Sequence, residues 1–169
     1  MKRLFVLVIT VFLFSNCQKK QNCTVEPLKI VQKEGITIPV YNYQTLEPLL
    51  SQNECEDLHV INFWATWCKP CVAELPYFEK LKEEGIKVTL ISLDMPKLVE
   101  SKLIPFLKEK NLKSEVVLLD DPDANSWIPK VDAEWSGAIP ATLILKGDKQ
   151  KFYEKSFTYK TLTEAIKNL

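Results

Sequence analysis

From about residue 27 onward the apolar residues fall into short runs whose spacing alternates between two and about 3.6. Residues 27–31 and 36–43 carry β-branched and aromatic side chains on either side of Glu34-Gly35, a turn signal, and predict an N-terminal hairpin. Thr45 would open a short helix over residues 45–50. His59–Trp64 is a nearly continuous apolar run of strand length, as expected of a strand covered on both faces; His59 itself is expected at its exposed edge. Leu75, Phe78 and Leu81 then recur at helical spacing within residues 71–84, which end at Gly85 and contain a potentially kinking Pro76. A strand over residues 87–93, a helix over 99–110 that Pro105 starts or bends, and a strand over 115–120 follow. Asp121-Pro122-Asp123 marks a turn. Gly147-Asp148 joins strands over 142–146 and 150–157, and a last helix over 159–169 places Leu162, Ile166 and Leu169 on one face. Strand and helix alternate throughout, so the class is α/β.

The first residues break this pattern. Lys2 and Arg3 precede a mostly apolar run over residues 4–14, shorter than the roughly 20 residues a bilayer span requires and close in form to a secretory h-region. Its end, Leu13-Phe14-Ser15-Asn16-Cys17, resembles a bacterial lipoprotein processing site with Cys17 as the lipidated first residue of the mature chain. A plain cleaved signal and an uncleaved anchor are the alternatives, and each exports the domain. The expected organisation is a signal over residues 1–17, a polar tether over 18–24 and one folded domain over 25–169, which 169 residues suffice to build.

Charge narrows the partners. Lysine plus arginine and aspartate plus glutamate balance at 22 each, so no basic field points to nucleic acid. Loss of Lys2 and Arg3 with a signal would leave a formal charge of −2.

The chemistry lies in Asn62-Phe63-Trp64-Ala65-Thr66-Trp67-Cys68-Lys69-Pro70-Cys71, continuing to Glu74 and Pro76. Two cysteines three positions apart, after a strand and at a helix start, can close and reopen a disulfide. At that position Cys68 would face unpaired backbone N–H groups and the positive end of the helix dipole, which favour thiolate. The same spacing supplies half of many zinc sites, but Cys17, Cys23, Cys55 and His59 contain no second pair. Core packing alone would require neither the helix-starting Pro70 nor a flanking Trp67 available as contact surface.

This stretch resembles the active site of the thioredoxin superfamily, and Glu74 with Pro76 resembles its membrane-tethered TlpA/ResA-like branch. The resemblance covers residues 36–169 and implies a thioredoxin-like fold: a mixed central sheet flanked by helices, with the N-terminal hairpin and a central helix-strand insert. Thioredoxin usually carries an aspartate where this chain has Asn62. In the branch resembled, a glutamate at the position of Glu74 is assigned the proton-transfer role; the other reading of Glu74 is a first-turn helix acid. The stretch Trp135-Ser136-Gly137-Ala138-Ile139-Pro140 resembles the superfamily's cis-proline loop. It implies a cis Ile139-Pro140 bond against the disulfide, with Ile139 pairing to a substrate strand. Trp135 would line the same groove or lie in the core.

The function implied is thiol–disulfide exchange in the cell envelope, facing the periplasm, with Cys68 attacking, Cys71 resolving and Glu74 moving the proton. No cofactor or metal is called for, because the sulfurs carry the electrons. A reductase of protein disulfides is the leading reading, with misoxidised proteins or apocytochrome c as clients, a membrane donor of reducing equivalents, a lipid anchor at Cys17 and a monomeric state. An envelope oxidase, a copper-delivery module and a peroxidase of the same superfamily are the rivals. Copper delivery usually adds a downstream histidine, and none follows His59; the peroxidase usually has an isolated cysteine. Cys23 and Cys55 form a structural disulfide, a second redox pair or two free thiols.

Overall fold

The computed structural model describes residues 25–51 and 57–169. The expectations at Cys17, Cys23 and Cys55, the signal and the whole tether lie outside these residues. In chain order the elements are β1 (Lys29–Lys33), β2 (Ile36–Tyr41), α1 (Tyr43–Leu50), β3 (His59–Trp64), α2 (Lys69–Glu83), β4 (Lys87–Ser92), α3 (Ile104–Lys110), β5 (Glu115–Leu119), α4 (Ala124–Val131), β6 (Ala141–Lys146), β7 (Lys149–Tyr153) and α5 (Tyr159–Lys167).

The strands form one seven-stranded sheet in the order β1-β2-β5-β4-β3-β6-β7. β2, β5, β4 and β3 run parallel, while β1 and the β6-β7 pair run antiparallel to their neighbours. The sheet is therefore mixed, with β3 near its middle. Alternation along β3 sends Ile61 and Phe63 to one face and Val60, Asn62 and Trp64 to the other. Ile61 and Phe63 join Leu46 of α1 and Trp127 of α4. Val60 and Trp64 join Leu75 and Phe78 of α2, Leu107 of α3 and Leu162 of α5. Both faces are covered, which accounts for the nearly continuous apolar run in the sequence.

Three local expectations change. Asn42, not Thr45, caps α1: its side-chain oxygen accepts from Thr45 N–H at 3.0 Å, which moves the helix start two residues earlier than expected. The helix expected over residues 99–110 is divided, with a π-helical turn at Val99–Leu103 leading into α3; Pro105 lies in the first turn of α3. Helix α4 was not anticipated. It contains Pro129 and is only eight residues long, but it buries Trp127 and Val131, so packing overrides weak local propensity.

His59 is not at an exposed edge. It is 4% exposed, and its Nε2 lies 2.9 Å from Thr89 Oγ1. The Thr89 hydroxyl donates to Glu115 at 2.9 Å, so the imidazole, as the Nε2–H tautomer, begins a chain running across β3, β4 and β5. Burial, assisted by the Lys87 charge, pushes the imidazole down to about 3 from its ordinary 6.5. On acidification the unfolded chain binds this proton while the folded chain resists it. The stabilisation is complete above pH 6.5 and is lost as the pH falls toward the folded value of about 3. Measured by urea unfolding, the stability of the wild type relative to a His59→Phe variant, which lacks this group, should fall by about 2 kcal/mol between pH 6.5 and about pH 5.

Candidate active site

β3 delivers the site. Its backbone leaves the sheet at Ala65, and the turn to Cys68 is closed by Cys68 N–H donating to Ala65 O at 3.1 Å. Asp94, 2% exposed at the end of β4, fixes that turn from the side. Its carboxylate accepts from Thr66 N–H at 3.0 Å, from the Thr66 hydroxyl at 2.6 Å and from the Ser92 hydroxyl at 2.8 Å. Trp67 is left 64% exposed beside the cysteines, and Met95, 56% exposed, follows Asp94.

Cys68 is the N-cap of α2, and Pro70 sits in the first turn, where its missing N–H costs nothing. Cys68 and Cys71 are joined by a disulfide with Cα atoms 5.3 Å apart. Cys71 N–H points at Cys68 Sγ from 3.3 Å, so the helix end that would stabilise a thiolate is aimed at this sulfur. Cys68 is 6% exposed and Cys71 is fully buried, leaving Cys68 as the sulfur a second molecule can reach. Pro76 lies on the exposed side of α2, which continues past it to Glu83.

The opposite wall of the site comes from the segment before β6. Because β6 pairs antiparallel with β3, with Ala141 opposite Phe63, the residues preceding Ala141 arrive at the end of the sheet where the cysteines lie. The Ile139-Pro140 bond is cis, and Ile139 O lies 3.7 Å from Cys68 Sγ. Trp135 resolves to the core reading: it is 5% exposed and packs against Phe63, Trp127 and Phe152.

Glu74 lies three residues after Cys71, about one turn further along α2, and is 1% exposed. Its Oε2 accepts from Phe157 N–H at 2.6 Å and its Oε1 from the Asn62 amide at 3.0 Å. Asn62 also reaches Ala141 O at 3.3 Å and Thr142 Oγ1 at 3.1 Å. The alternation of β3 puts Asn62 on the α2 face, which is why the two residues meet. Burial dominates the Glu74 carboxyl and pushes it up to about 7 from 4.5, against the smaller opposing effects of the Phe157 N–H and the Asn62 amide. A buried acid that changes charge near neutrality can take up or release a proton at physiological pH, and an exposed first-turn acid could not.

The structure thus brings Cys68, Cys71, Ile139 and Pro140 together, with Trp67 on the rim and Glu74 beneath. Asp94, and Glu154, whose carboxylate accepts from Ser136 N–H and Ala138 N–H on the opposite wall, were not singled out from sequence. An acid one or two residues beyond a strand has no signature until its hydrogen-bond donors are located. Among the described residues no cluster of three or more His, Cys, Asp or Glu could hold a metal ion, and no helix is long and apolar enough to cross a membrane.

The AhpC/TSA family model matches residues 44–150. Over 124 residues the chain is 31% identical to the thiol:disulfide interchange protein DsbE of Haemophilus influenzae, a match spanning 70% of this chain and 65% of that one. Over 111 residues it is 30% identical to the thiol-disulfide oxidoreductase ResA of Geobacillus thermodenitrificans, across 63% of this chain and 58% of that one. The chain therefore spans less than two thirds of the length of either relative. A secreted thiol-disulfide isomerase from Corynebacterium glutamicum shares the fold, with a TM-score of 0.56 at 18% identity, covering 80% of this chain and 77% of that chain.

The raised Glu74 carboxyl has a consequence for stability. The folded state holds the proton more tightly than the unfolded state, so this contribution is present in full below pH 4.5 and is lost as the pH rises through about 7. Its size is about 3 kcal/mol. Between pH 4.5 and 6.5 the His59 effect runs the other way and masks it. In a His59→Phe background, urea unfolding should therefore show stability falling from pH 4.5 to about pH 8, and Glu74→Gln should flatten that fall.

Proposed function

This chain belongs to the AhpC/TSA family, and we propose that it is a thiol–disulfide oxidoreductase of the cell envelope that reduces protein disulfides. The observation that carries the proposal is the Cys68–Cys71 disulfide at the start of α2, with Cys71 N–H directed at Cys68 Sγ and Ile139 O alongside. The names of the DsbE and ResA relatives support the same chemistry.

The disulfide seen here is the oxidised end of the cycle. In the reduced protein Cys68 thiolate attacks one sulfur of a substrate disulfide, forming a mixed disulfide and expelling the other substrate sulfur as a thiolate, which takes a proton. Cys71 thiolate then attacks Cys68 Sγ. This restores the Cys68–Cys71 bond and releases the second substrate sulfur, so the substrate gains two electrons and two protons. Glu74 accepts the Cys71 proton in this second step, since a carboxyl near 7 can do so inside the core, where water cannot. Ile139 and Pro140 form the backbone edge on which a substrate strand lies, with Trp67 as its apolar flank. Two electrons from a membrane donor return the pair to the dithiol.

The basic start and short apolar run of residues 2–14, ending at Cys17, support a periplasm-facing domain lipid-anchored at Cys17, acting as a monomer on misoxidised proteins or apocytochrome c. Outside the cytosol a dithiol persists only if it is continually recharged, which is the reason a membrane donor belongs to this reading.

Cys68→Ser should abolish reduction of protein disulfides. Cys71→Ser should accumulate mixed disulfides, visible as bands that disappear on adding dithiothreitol. Equilibration of the domain from Thr24 onward with glutathione or dithiothreitol should place the pair near a thioredoxin-like potential of roughly −270 mV. A value near roughly −120 mV would replace the reductase with an oxidase, and a pair that never cycles would end the enzymatic reading.

A further inference from the structure

The four residues leading to Ile139 are pinned from two directions. Glu154, directly after β7, extends its carboxylate across the segment. Oε2 accepts from Ser136 N–H at 3.0 Å, and Oε1 accepts from Ala138 N–H at 3.0 Å and from the Ser136 hydroxyl. From the other side the Trp135 indole N–H donates to Ala138 O at 2.9 Å. Both backbone groups of Ala138 are thus engaged, one by the edge strand and one by a tryptophan seated in the core against Phe63 of β3. Gly137, between the anchors, has φ of +92°, a conformation that glycine adopts without strain, and a Cβ there would lie 3.0 Å from Ile128 Cδ1.

These contacts converge on one residue. Ile139 follows Ala138 immediately, and its carbonyl is the backbone group 3.7 Å from Cys68 Sγ. Glu154 itself hydrogen-bonds neither cysteine. Its three donors all require an acceptor, so a neutral glutamine would offer one oxygen and turn an NH2 group toward N–H groups.

We infer that Glu154 is a positioning residue for polypeptide substrates: by holding Ser136 and Ala138 it sets the backbone edge at Ile139 on which an extended substrate strand pairs. This rests on the oxidoreductase reading above. A strand laid beside Ile139 draws on backbone hydrogen bonds whose geometry depends on the clamp, as in other cases of strand addition. A small disulfide without a peptide backbone uses only Cys68, and the clamp does not affect it. Glu154 therefore separates polypeptide from small-molecule disulfides without altering the sulfur chemistry.

The test compares two substrates on the full chain: a disulfide-bridged peptide with extended flanks, and 2-hydroxyethyl disulfide. Glu154→Gln should lower kcat/KM for the peptide about tenfold, mainly through KM. Turnover of 2-hydroxyethyl disulfide and the Cys68–Cys71 potential should stay at wild-type values. Ser136→Ala, which removes one of the three donors and is the milder change should Glu154→Gln fold poorly, should give a smaller loss of the same kind. Equal losses on both substrates, or no loss on the peptide, would overturn the inference while leaving the oxidoreductase reading intact. If the wild-type protein reduces neither substrate, the oxidoreductase reading fails and the role of Glu154 falls with it.

Discussion

The fold turns on one buried carboxylate. Glu74 joins three parts of the chain that are distant in sequence: α2 carries it, β3 supplies the Asn62 amide, and the segment before α5 supplies the Phe157 N–H. A carboxyl so buried resists ionisation, and the two donors meet only part of that cost. The balance leaves it close to its titration point near neutral pH. In the exchange reaction proposed above, the same desolvation that makes an ionised Glu74 costly is what suits it to accept the Cys71 proton.

Above that carboxylate the two walls of the site are built in the same manner, by an acid from a neighbouring strand end that collects several donors from a loop. Asp94, beyond β4, holds Thr66 and so the turn that presents Trp67 and Cys68. Glu154, beyond β7, holds Ser136 and Ala138 and so the approach to Ile139. Loops lack the repeating hydrogen bonds of a sheet, and a carboxylate that accepts two or three backbone or hydroxyl donors supplies what the sheet would otherwise provide. The disulfide lies between two rigid edges, each anchored to a different strand of one sheet.

The antiparallel pairing of β6 with β3 makes this possible. A parallel strand would begin at the far end of the sheet, whereas β6 begins where β3 ends, with Ala141 opposite Phe63. Ile139 and Pro140 therefore reach the cysteines with no long connection. At the far end of β3 the buried His59 and Thr89, with the exposed Glu115, tie three strands together.

Much of this was legible in the sequence because it depends on local spacing. The nearly continuous apolar run of β3, the helical period of Leu75, Phe78 and Leu81, the turn at Gly147-Asp148 and the paired cysteines at a helix start follow from backbone geometry and gave the α/β class and the redox pair, while the thioredoxin-like fold came from the resemblance carried by residues 62–76 and 135–140. What local spacing could not supply is anything that depends on residues meeting across the sheet. His59 was assigned to an exposed edge because nothing near it in sequence indicates that Thr89 lies 2.9 Å away. Helix α4 went unseen because its stability comes from Trp127 and Val131 packing on other elements. The titration of Glu74 near neutrality, and the hold of Asp94 and Glu154 on their loops, were decided by the tertiary structure, since burial and hydrogen-bond geometry arise only when the sheet closes over these groups.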